Sequence, residues 1–342
     1  MTDRKLAATV TNTATPVAIN VSQSHDSATA IASISAISTT LDVGDSVTIK
    51  LGYSTGTTTV FKGYVKAREK KTPDGLYTIT AHDVMTRAVD FFIVSPDSTT
   101  GYEYQNITAH ALIQSLMTMA GLSSFDFDNT SFTLGINNPF EVNLVSSYDY
   151  SRMIADLIAW MVWADRVGTI HLKNRKPFPM DGSAETGAGQ PGYVVDSSLL
   201  TVTDTGIFDI SYGFNEKDLR NKVVIYGAED LYAEALSATS YDPALGSSRA
   251  ILPAGYYKTM MLASPLLDDA GFAQDACDYN LTLYNKLQYQ VPITVEGNGL
   301  LEARKCITVT STKASVSGLW YIFQCEHAWS NGGYLCNLLL TK

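Results

Sequence analysis

Apolar and polar residues alternate with a period of two at both ends of the chain. Near the start the pattern runs through VGDSVTIKLGY (43–53), TTTVFKGYVKAREKK (57–71) and LYTITAHDVMTRAVDFF (76–92). Near the end it returns in LLEARKCITVTST (300–312), GLWYIFQCEHAWS (318–330) and GGYLCNLLL (332–340). Strand side chains alternate between two faces, so these runs predict half-buried strands, and the Gly, Asp, Ser and Thr between them predict hairpin turns. Residues 16–38 add two strands about a polar turn at His25–Asp26–Ser27. Ser54–Thr55–Gly56 and Pro73–Asp74–Gly75 supply further turns. In the second, Pro presets φ and Gly tolerates positive φ. The pattern repeats without repeating residue identities. It predicts two similar β-barrels, an arrangement that suits a ring or conduit better than a single catalytic cleft.

The middle of the chain changes period. Asp83 is expected to cap a short helix over 83–92 with Val84, Ala88 and Phe91 or Phe92 on one face. Asn106 or Thr108 opens a second helix that ends at Gly121, with Ala111, Leu112, Ser115, Leu116 and Met119 on one side. A strand over 140–147 follows. Tyr148–Asp149–Tyr150–Ser151 then opens the helix SRMIADLIAWMVWA, striped by Ile154, Leu157, Ile158, Met161 and Val162. Trp160 and Trp163 cannot both lie at the centre of that stripe, so one is expected to reach an interface. A strand over 168–174 closes the unit, and 179–192 reads as a Gly- and Pro-bearing linker.

Beyond 200 the strand pattern resumes at 207–213 and 221–227. Residues 228–264 form a weakly patterned excursion with short strands. A helix over 268–287 follows, with Ala273, Ala276, Cys277, Asn280, Leu283, Tyr284 and Leu287 on one face. Asp268 and Asp269 suit the positive end of its dipole. Strand 289–295, the turn Gly297–Asn298–Gly299 and three last strands complete the chain. The expected fold is mainly β with an α+β insertion: two tube-like β-barrels, each with a packed helix, separated by a small α+β domain. The expected boundaries are 1–95, 96–200 and 201–342, the last barrel carrying helix 268–287.

Composition narrows the functional classes. The chain has 342 residues, 45% hydrophobic and 17% charged, which excludes wholesale disorder and allows more than one core. A net charge of −10 argues against a surface that grips nucleic-acid backbone, yet it suits DNA sliding past without sticking. The longest apolar run, LIAWMVWA (157–164), is too short to span a membrane, and MTDRKLAATV lacks the apolar stretch of a signal peptide. Synthesis in the cytoplasm is expected. Cys277, Cys306, Cys325 and Cys336 sit in apolar strand or helix patterns and read as buried free thiols.

Few residues invite chemistry. Among His25, His82, His110, His171 and His327, only His327 lies near a cysteine at short spacing. Cys325 and His327 share a strand face, and Cys336 is a possible third ligand, but a satisfied barrel histidine is the favoured reading. Asp268 and Asp269 are adjacent and diverge, Glu296 reads as a solvated rim residue, and neither a Gly-x-Ser-x-Gly elbow nor a phosphate-cradling loop is present. KAREKK (66–71) reads as charge that protects a strand edge, with an acidic neighbour as the sharper alternative. Several of the nineteen tyrosines, among them Tyr102, Tyr104, Tyr148, Tyr150, Tyr256 and Tyr257, lie near turns or in polar strands, as interface residues do. No catalytic, cofactor-binding or metal-binding residue is assigned.

The order of parts resembles a known family. VGDSVTIKLGY, VFKGYVKA and LYTITAHDVMTRAVDF, then the YDYSRMIADLIAW segment, NKVVIYG, the helix from 268 and the closing GLWYIFQCEHAWSNGGYLCNLLL are similar to the hub proteins of phage tail baseplates. That group is the late control protein D family, and the N-terminal half of type VI secretion spike proteins is similar to it. The resemblance implies a homotrimer presenting six barrels, which adapts a sixfold tail tube to a threefold spike around a channel for tape measure protein and DNA. It implies contacts with a tail tube or distal tail protein, other baseplate proteins and a spike. The last is expected to be a separate polypeptide, because the chain stops at Lys342. The implied location is the virion, and the family contributes no catalytic residues. Two other classes compete: a tail-associated cell-wall hydrolase, and a glycan- or receptor-binding tail-tip module using aromatics of 228–264.

Overall fold

The computed structural model describes residues 5–73, 75–94, 101–136, 138–158, 160–173, 198–242, 247–285 and 288–341. The expected linker 179–192 and Asp74 of the expected turn lie outside the described residues.

The first barrel comprises β1 (Leu6–Val10), β2 (Thr13–Ser24), β3 (Ile31–Thr39), β4 (Ser46–Tyr53), β5 (Gly56–Lys70) and β6 (Tyr77–Asp83). Its order is β1-β4-β5-β6-β3-β2, and the Val10–Thr13 pairing of β1 with β2 closes the ring. The second comprises β7 (Thr201–Thr203), β8 (Ile207–Ile210), β9 (Gln288–Glu296), β10 (Cys306–Ser311), β11 (Val316–Ser330) and β12 (Gly333–Thr341). Its order is β7-β10-β11-β12-β9-β8, the same arrangement strand for strand. A short strand, Gly213–Asn215, continues the pairing of β8 along β9.

The likeness extends to individual residue pairs. Ile31 faces His82 and Ser35 faces Thr78, as Gln290 faces Thr341 and Thr294 faces Asn337. Tyr64–His82 and Ala67–Thr80 are matched by Tyr321–Thr341 and Gln324–Leu339. Bulges fall at matching places, between Val65 and Ala67 and between Ile322 and Gln324, and again between Pro16 and Ala18 and between Ile207 and Asp209. A bulge re-aims every later side chain of its strand, so its retention keeps the inward positions in phase. Ile34 and Ile293, Ile79 and Leu338, Val47 and Ile307, and Val65 and Ile322 occupy matched inward sites, and all are buried. One strand breaks the correspondence: β1 runs antiparallel to β4, whereas β7 runs parallel to β10.

The barrels are fused along one seam. β2 pairs antiparallel with β11 from Ala18–Ser330 to Ser24–Gln324, which makes a continuous 13-stranded sheet. A single apolar core draws on both barrels, from Val21, Ile34 and Phe61 to Trp320, Trp329 and Leu340.

A second core lies beside the barrels. It gathers α1 (Thr86–Asp90), α2 (Ala109–Met119), α3 (Ser147–Leu157) and α4 (Ala270–Tyr284) with the sheets 125–127/161–164/170–173 and 222–226/232–236/259–263. α2 runs from Thr108 to a C-terminal Gly121 at φ +80°, and α4 is capped by the Asp269 carboxylate, which accepts from the Phe272 N–H at 3.0 Å. α4 packs on the strands Lys222–Tyr226 and Tyr232–Leu236 rather than directly on the barrel wall.

Five local expectations are corrected. The helix SRMIADLIAWMVWA ends at Leu157, and Met161–Ala164 is a strand paired to Ile170–Lys173. Its branched and aromatic residues gain a sheet partner, and tertiary pairing overrides the helical stripe. Trp160 and Trp163 are both buried, so neither is the expected interface tryptophan. Residues 140–147 form two short strands, Phe140–Val142 and Val145–Ser146, separated by Leu144 at φ +54°. α1 lacks a side-chain cap, because the Asp83 oxygens accept instead from the Ala30 N–H (2.7 Å) and the Met85 N–H (3.0 Å); Phe92 is exposed. Finally, 300–305 is loop rather than strand, with Arg304 at φ +68°.

Candidate functional site

Three features stand out: the solvent face of the seam, the buried charges beneath its end, and a histidine within the second barrel.

On the solvent face the matched registers align side chains into rows that cross the seam. One row reads Ser22, Glu326, Asn337 and Thr294 on β2, β11, β12 and β9. Its neighbour reads Thr80, Ser33, Asn20 and Ala328. The Asn20 amide donates to Glu326 Oε1, Asn337 Nδ2 donates to Glu326 Oε2 at 3.1 Å, and Thr294 Oγ1 donates to Asn337 Oδ1 at 3.0 Å. The one carboxylate in these rows is thus held by two amides. Around Ala18, Ser35, Ser330 and Gly333 the face dips into a shallow groove of about 550 Å³. Most of these side chains are small and uncharged, and the single carboxylate among them is internally bonded.

The loop 297–305 ties the parts together at the end of the seam. Arg304 Nη2 donates to the carbonyls of Ser24 (2.7 Å), His25 (3.0 Å) and Ser27 (3.1 Å) in the β2–β3 turn. The Ala303 N–H donates to Gln23 Oε1 at 3.2 Å. From the other side the Arg166 N–H donates to Glu302 Oε1 at 2.8 Å, and its guanidinium donates to the Gly299 carbonyl. One loop therefore clamps the first barrel and the middle unit to the second barrel. Asp83, Glu302 and Arg304 are all buried. Burial raises the Asp83 carboxyl to about 7 against the pull of its two backbone donors and of Arg304, and it likewise raises Glu302. Burial and the Arg304 charge lower His25 to about 3, while its ring stacks on Phe323 at 5.1 Å and its Nδ1 meets Tyr321 Oη at 2.9 Å. In the run LLEARK, Glu302 and Arg304 fall on the polar phase of the alternation set by Leu301, Ala303, Ile307 and Val309, so nothing local marks their burial. The run itself reads as strand.

His327, Cys325 and Cys336 are brought together, all fully buried. Yet Cys325 Sγ lies 3.5 Å from Nε2 and Cys336 Sγ lies 3.3 Å from Nδ1, on opposite edges of the ring. Two thiols on opposite ring nitrogens cannot converge on one ion. His327 Nε2 faces the Leu301 carbonyl at 3.0 Å and must carry the hydrogen, leaving Nδ1 to accept from Tyr334 Oη at 2.8 Å. Burial lowers this imidazole to about 4, so it stays neutral. All four cysteines are free and buried, and no group of three metal-ligating side chains suited to an ion occurs among the described residues.

Other singled-out residues are dispersed. Glu296 is exposed at the end of β9, and Asp269 is used as a helix cap. KAREKK lies on the far half of β5, where Lys66 pairs with Asp90 and the cations of Arg68 and Lys70 sit 5.1 and 5.3 Å from the Tyr77 ring. Tyr256 and Tyr257 are exposed, Tyr148 is buried, and Tyr102, Tyr104 and Tyr150 are half-buried. A cavity of about 380 Å³ opens between α4 and the middle unit, lined by Phe132, Trp160, Phe272 and Tyr279 with Asp275 as its carboxylate. No helix among the described residues is long and apolar enough to cross a membrane.

Comparison with known proteins follows this geometry. No protein-family model and no curated protein matches the chain. Solved structures do. A tail protein from Neisseria meningitidis matches with a TM-score of 0.67 at 10% identity, over 99% of this chain and 97% of that one. The 43 kDa tail protein of prophage MuSo2 from Shewanella oneidensis matches with a TM-score of 0.67 at 12% identity, over 98% and 97%. An Escherichia coli type VI secretion component, described as structurally similar to the phage T4 tail proteins gp27 and gp5, matches at 0.53 and 9% identity, over 98% and 76%. The chain has the mainly-β fold of these tail proteins.

Proposed function

We propose that this chain is a structural component of a phage tail, and specifically the hub of its baseplate. The observation that carries the reading is the duplication: two barrels that share a strand order and, one edge strand apart, a residue register, fused side by side in one sheet. A ring of such chains has twice as many similar barrels as subunits, and three copies offer six barrels to a sixfold tube and three equivalent faces to a spike. The match to tail proteins over nearly the whole of both chains supports the fold on which this rests. The seam face, with one internally bonded carboxylate among small uncharged side chains, suits a channel wall past which tape measure protein and DNA move without sticking. The proposed partners are copies of itself, a tail tube or distal tail protein, a spike, other baseplate proteins and the tape measure, and the proposed location is the virion. The division at 95 and 200 is kept in this proposal, with 222–284 contributing to the core of the middle unit.

The test is assembly. Particles made without this chain are expected to lack mature tails, and antibody against it is expected to label the tail's distal end. Normal tails in its absence would overturn the reading. The measured mass of the purified protein, alone and with a candidate spike, is expected to be three times 37.1 kDa in at least one of the two samples.

A further inference from the structure

The matched registers assign every residue at the internal seam a counterpart elsewhere in the chain. Because Ser22 faces Ile31 as Gly213 faces Gln290, residues 18–24 of β2 correspond to 209–215. Because Gln324 faces Leu339 as Ala67 faces Thr80, residues 324–330 of β11 correspond to 67–73. In the seam, 18–24 and 324–330 pair with each other. Among the described residues their counterparts have no sheet partner on that side: 209–215 pair only with β9, and 67–70 only with β6.

Burial tells the same story. At the seam Val21, Gln23, Cys325 and His327 are buried. Their counterparts Tyr212 and Phe214 are 57% and 67% exposed, and Arg68 and Lys70 are exposed as well. Two large aromatics thus stand in water at positions that are core in the other half of the molecule. Both stack on the Tyr289 ring, at centroid distances of 5.9 and 6.5 Å.

We infer that these two edges are one interface divided between copies of this chain: strand 67–70 of one copy adds antiparallel to strand 212–215 of the next. Repeating the seam's own register sets Lys70 opposite Tyr212, Glu69 opposite Gly213, Arg68 opposite Phe214 and Ala67 opposite Asn215. The pairing brings guanidinium and ammonium groups against aromatic rings and sets Arg68, Lys70 and Lys71 near the exposed carboxylates of Asp209 and Glu216. The contact is head-to-tail, so it closes a ring or grows a filament according to the angle of the seam. KAREKK thereby has two roles: its charge keeps the edge soluble before assembly, and the same cations are the docking elements. The inference rests on the ring reading above.

The test uses chains with one added cysteine each, since the native thiols are buried. Directly opposed residues of an antiparallel pair lie within disulfide reach. Mixing Tyr212→Cys with Lys70→Cys chains under oxidation is expected to give a covalent dimer on denaturing gels, and Tyr212→Cys with Glu69→Cys is not, because residue 69 points to the opposite face. A chain carrying both Tyr212→Cys and Lys70→Cys is expected to give a ladder ending at three. A ladder without end would retain the interface and overturn the ring. A native trimer that fails to cross-link would overturn the interface and retain the ring. A monomer that never cross-links, alone or with a candidate spike, would overturn both. Arg68→Glu with Lys70→Glu is expected to weaken self-association at least tenfold while leaving the circular dichroism of the monomer unchanged; unchanged association would also overturn the interface.

Discussion

Replacing Arg304 by Met should separate the two barrels energetically without distorting the loop that carries it. Arg304 has φ +68°, a conformation costly for any side chain with a Cβ, and Met leaves that cost unchanged. What disappears is the donor. Nη2 has two hydrogens for three carbonyls at 2.7, 3.0 and 3.1 Å, so it supplies about two full charge-assisted bonds, each worth ~1.5–3 kcal/mol. Losing the guanidinium also leaves Asp83 without the buried positive charge that lowers its pKa. Part of this is recovered, because the desolvation cost of the guanidinium vanishes with it. The net expectation is a loss of about 3–5 kcal/mol, the range for breaking a buried charge network from one side. Urea unfolding followed by the fluorescence of Trp320 and Trp329, both in the barrel core, reads this directly. Arg304→Lys, which keeps the charge but not the planar fork, should recover part of the loss. A loss below about 1 kcal/mol for the Met variant would show that the loop 297–305 is not what fixes the barrels to each other.

Four further outcomes follow from the interior of the molecule. His327 is depressed to about 4 and His25 to about 3, so the stability they contribute is fully present above 6.5 and is lost as pH falls from there through their folded values. His327 alone accounts for about 3 kcal/mol, so His327→Gln should flatten the acid limb of a stability-versus-pH curve, and an unchanged limb would refute the assignment. Asp83, raised to about 7, acts in the opposite sense: its burial costs stability as pH climbs from about 4 to 7, and Asp83→Asn should remove that slope. Gly297→Ala would set a Cβ 2.1 Å from the Tyr334 ring and should cost about 3 kcal/mol or more, whereas Gly332→Ala, 3.6 Å from Ser330 Oγ, should change stability by less than about 0.5 kcal/mol in the same urea assay. Burial pushes Cys277 and Cys336 up to about 11, so a thiol reagent should label none of the four cysteines in the native protein within minutes and all four in denaturant.

The barrels were legible in the sequence because they depend on alternation, and alternation survives the loss of identity. Matched inward sites hold Ala32 and Val291 or Ile79 and Leu338, different residues of one kind. Turns at 54–56 and 297–299 likewise follow from residue type. The errors came where long-range pairing decides. Met161–Ala164 reads as helix until Ile170–Lys173 is placed beside it, and α4 reads as a barrel helix until strands 222–226 and 232–236 take it into another core. The junction charges were missed for a related reason. Glu302 and Arg304 find their partners in a turn near residue 25 and a loop near residue 166, and nothing local distinguishes them from solvated charges. Of the two proposed interface edges, KAREKK was legible as a charged strand edge with an acidic neighbour as the alternative, whereas 212–215 was not, because its role follows from matched registers rather than composition.

Differences between the matched edges have a physical cause in the proposed ring. A seam within one chain forms during folding and is never offered to water as a finished surface. It can therefore be built from Val21, Gln23, Cys325 and His327, with the Asn20–Glu326–Asn337 bonds laid across it. An edge that waits for another copy must stay soluble as a monomer, so a bare pair of apolar strands there would aggregate. Arg68, Lys70 and Lys71 on one side, and Asp209 and Glu216 beside Tyr212 and Phe214 on the other, meet both demands: each edge is charged alone, and the charges are complementary together. Opposite net charge on the two edges also disfavours joining like to like, which would cap a ring before it closed. The matched edges thus differ in burial and charge because a seam within one chain and a seam between copies face different demands.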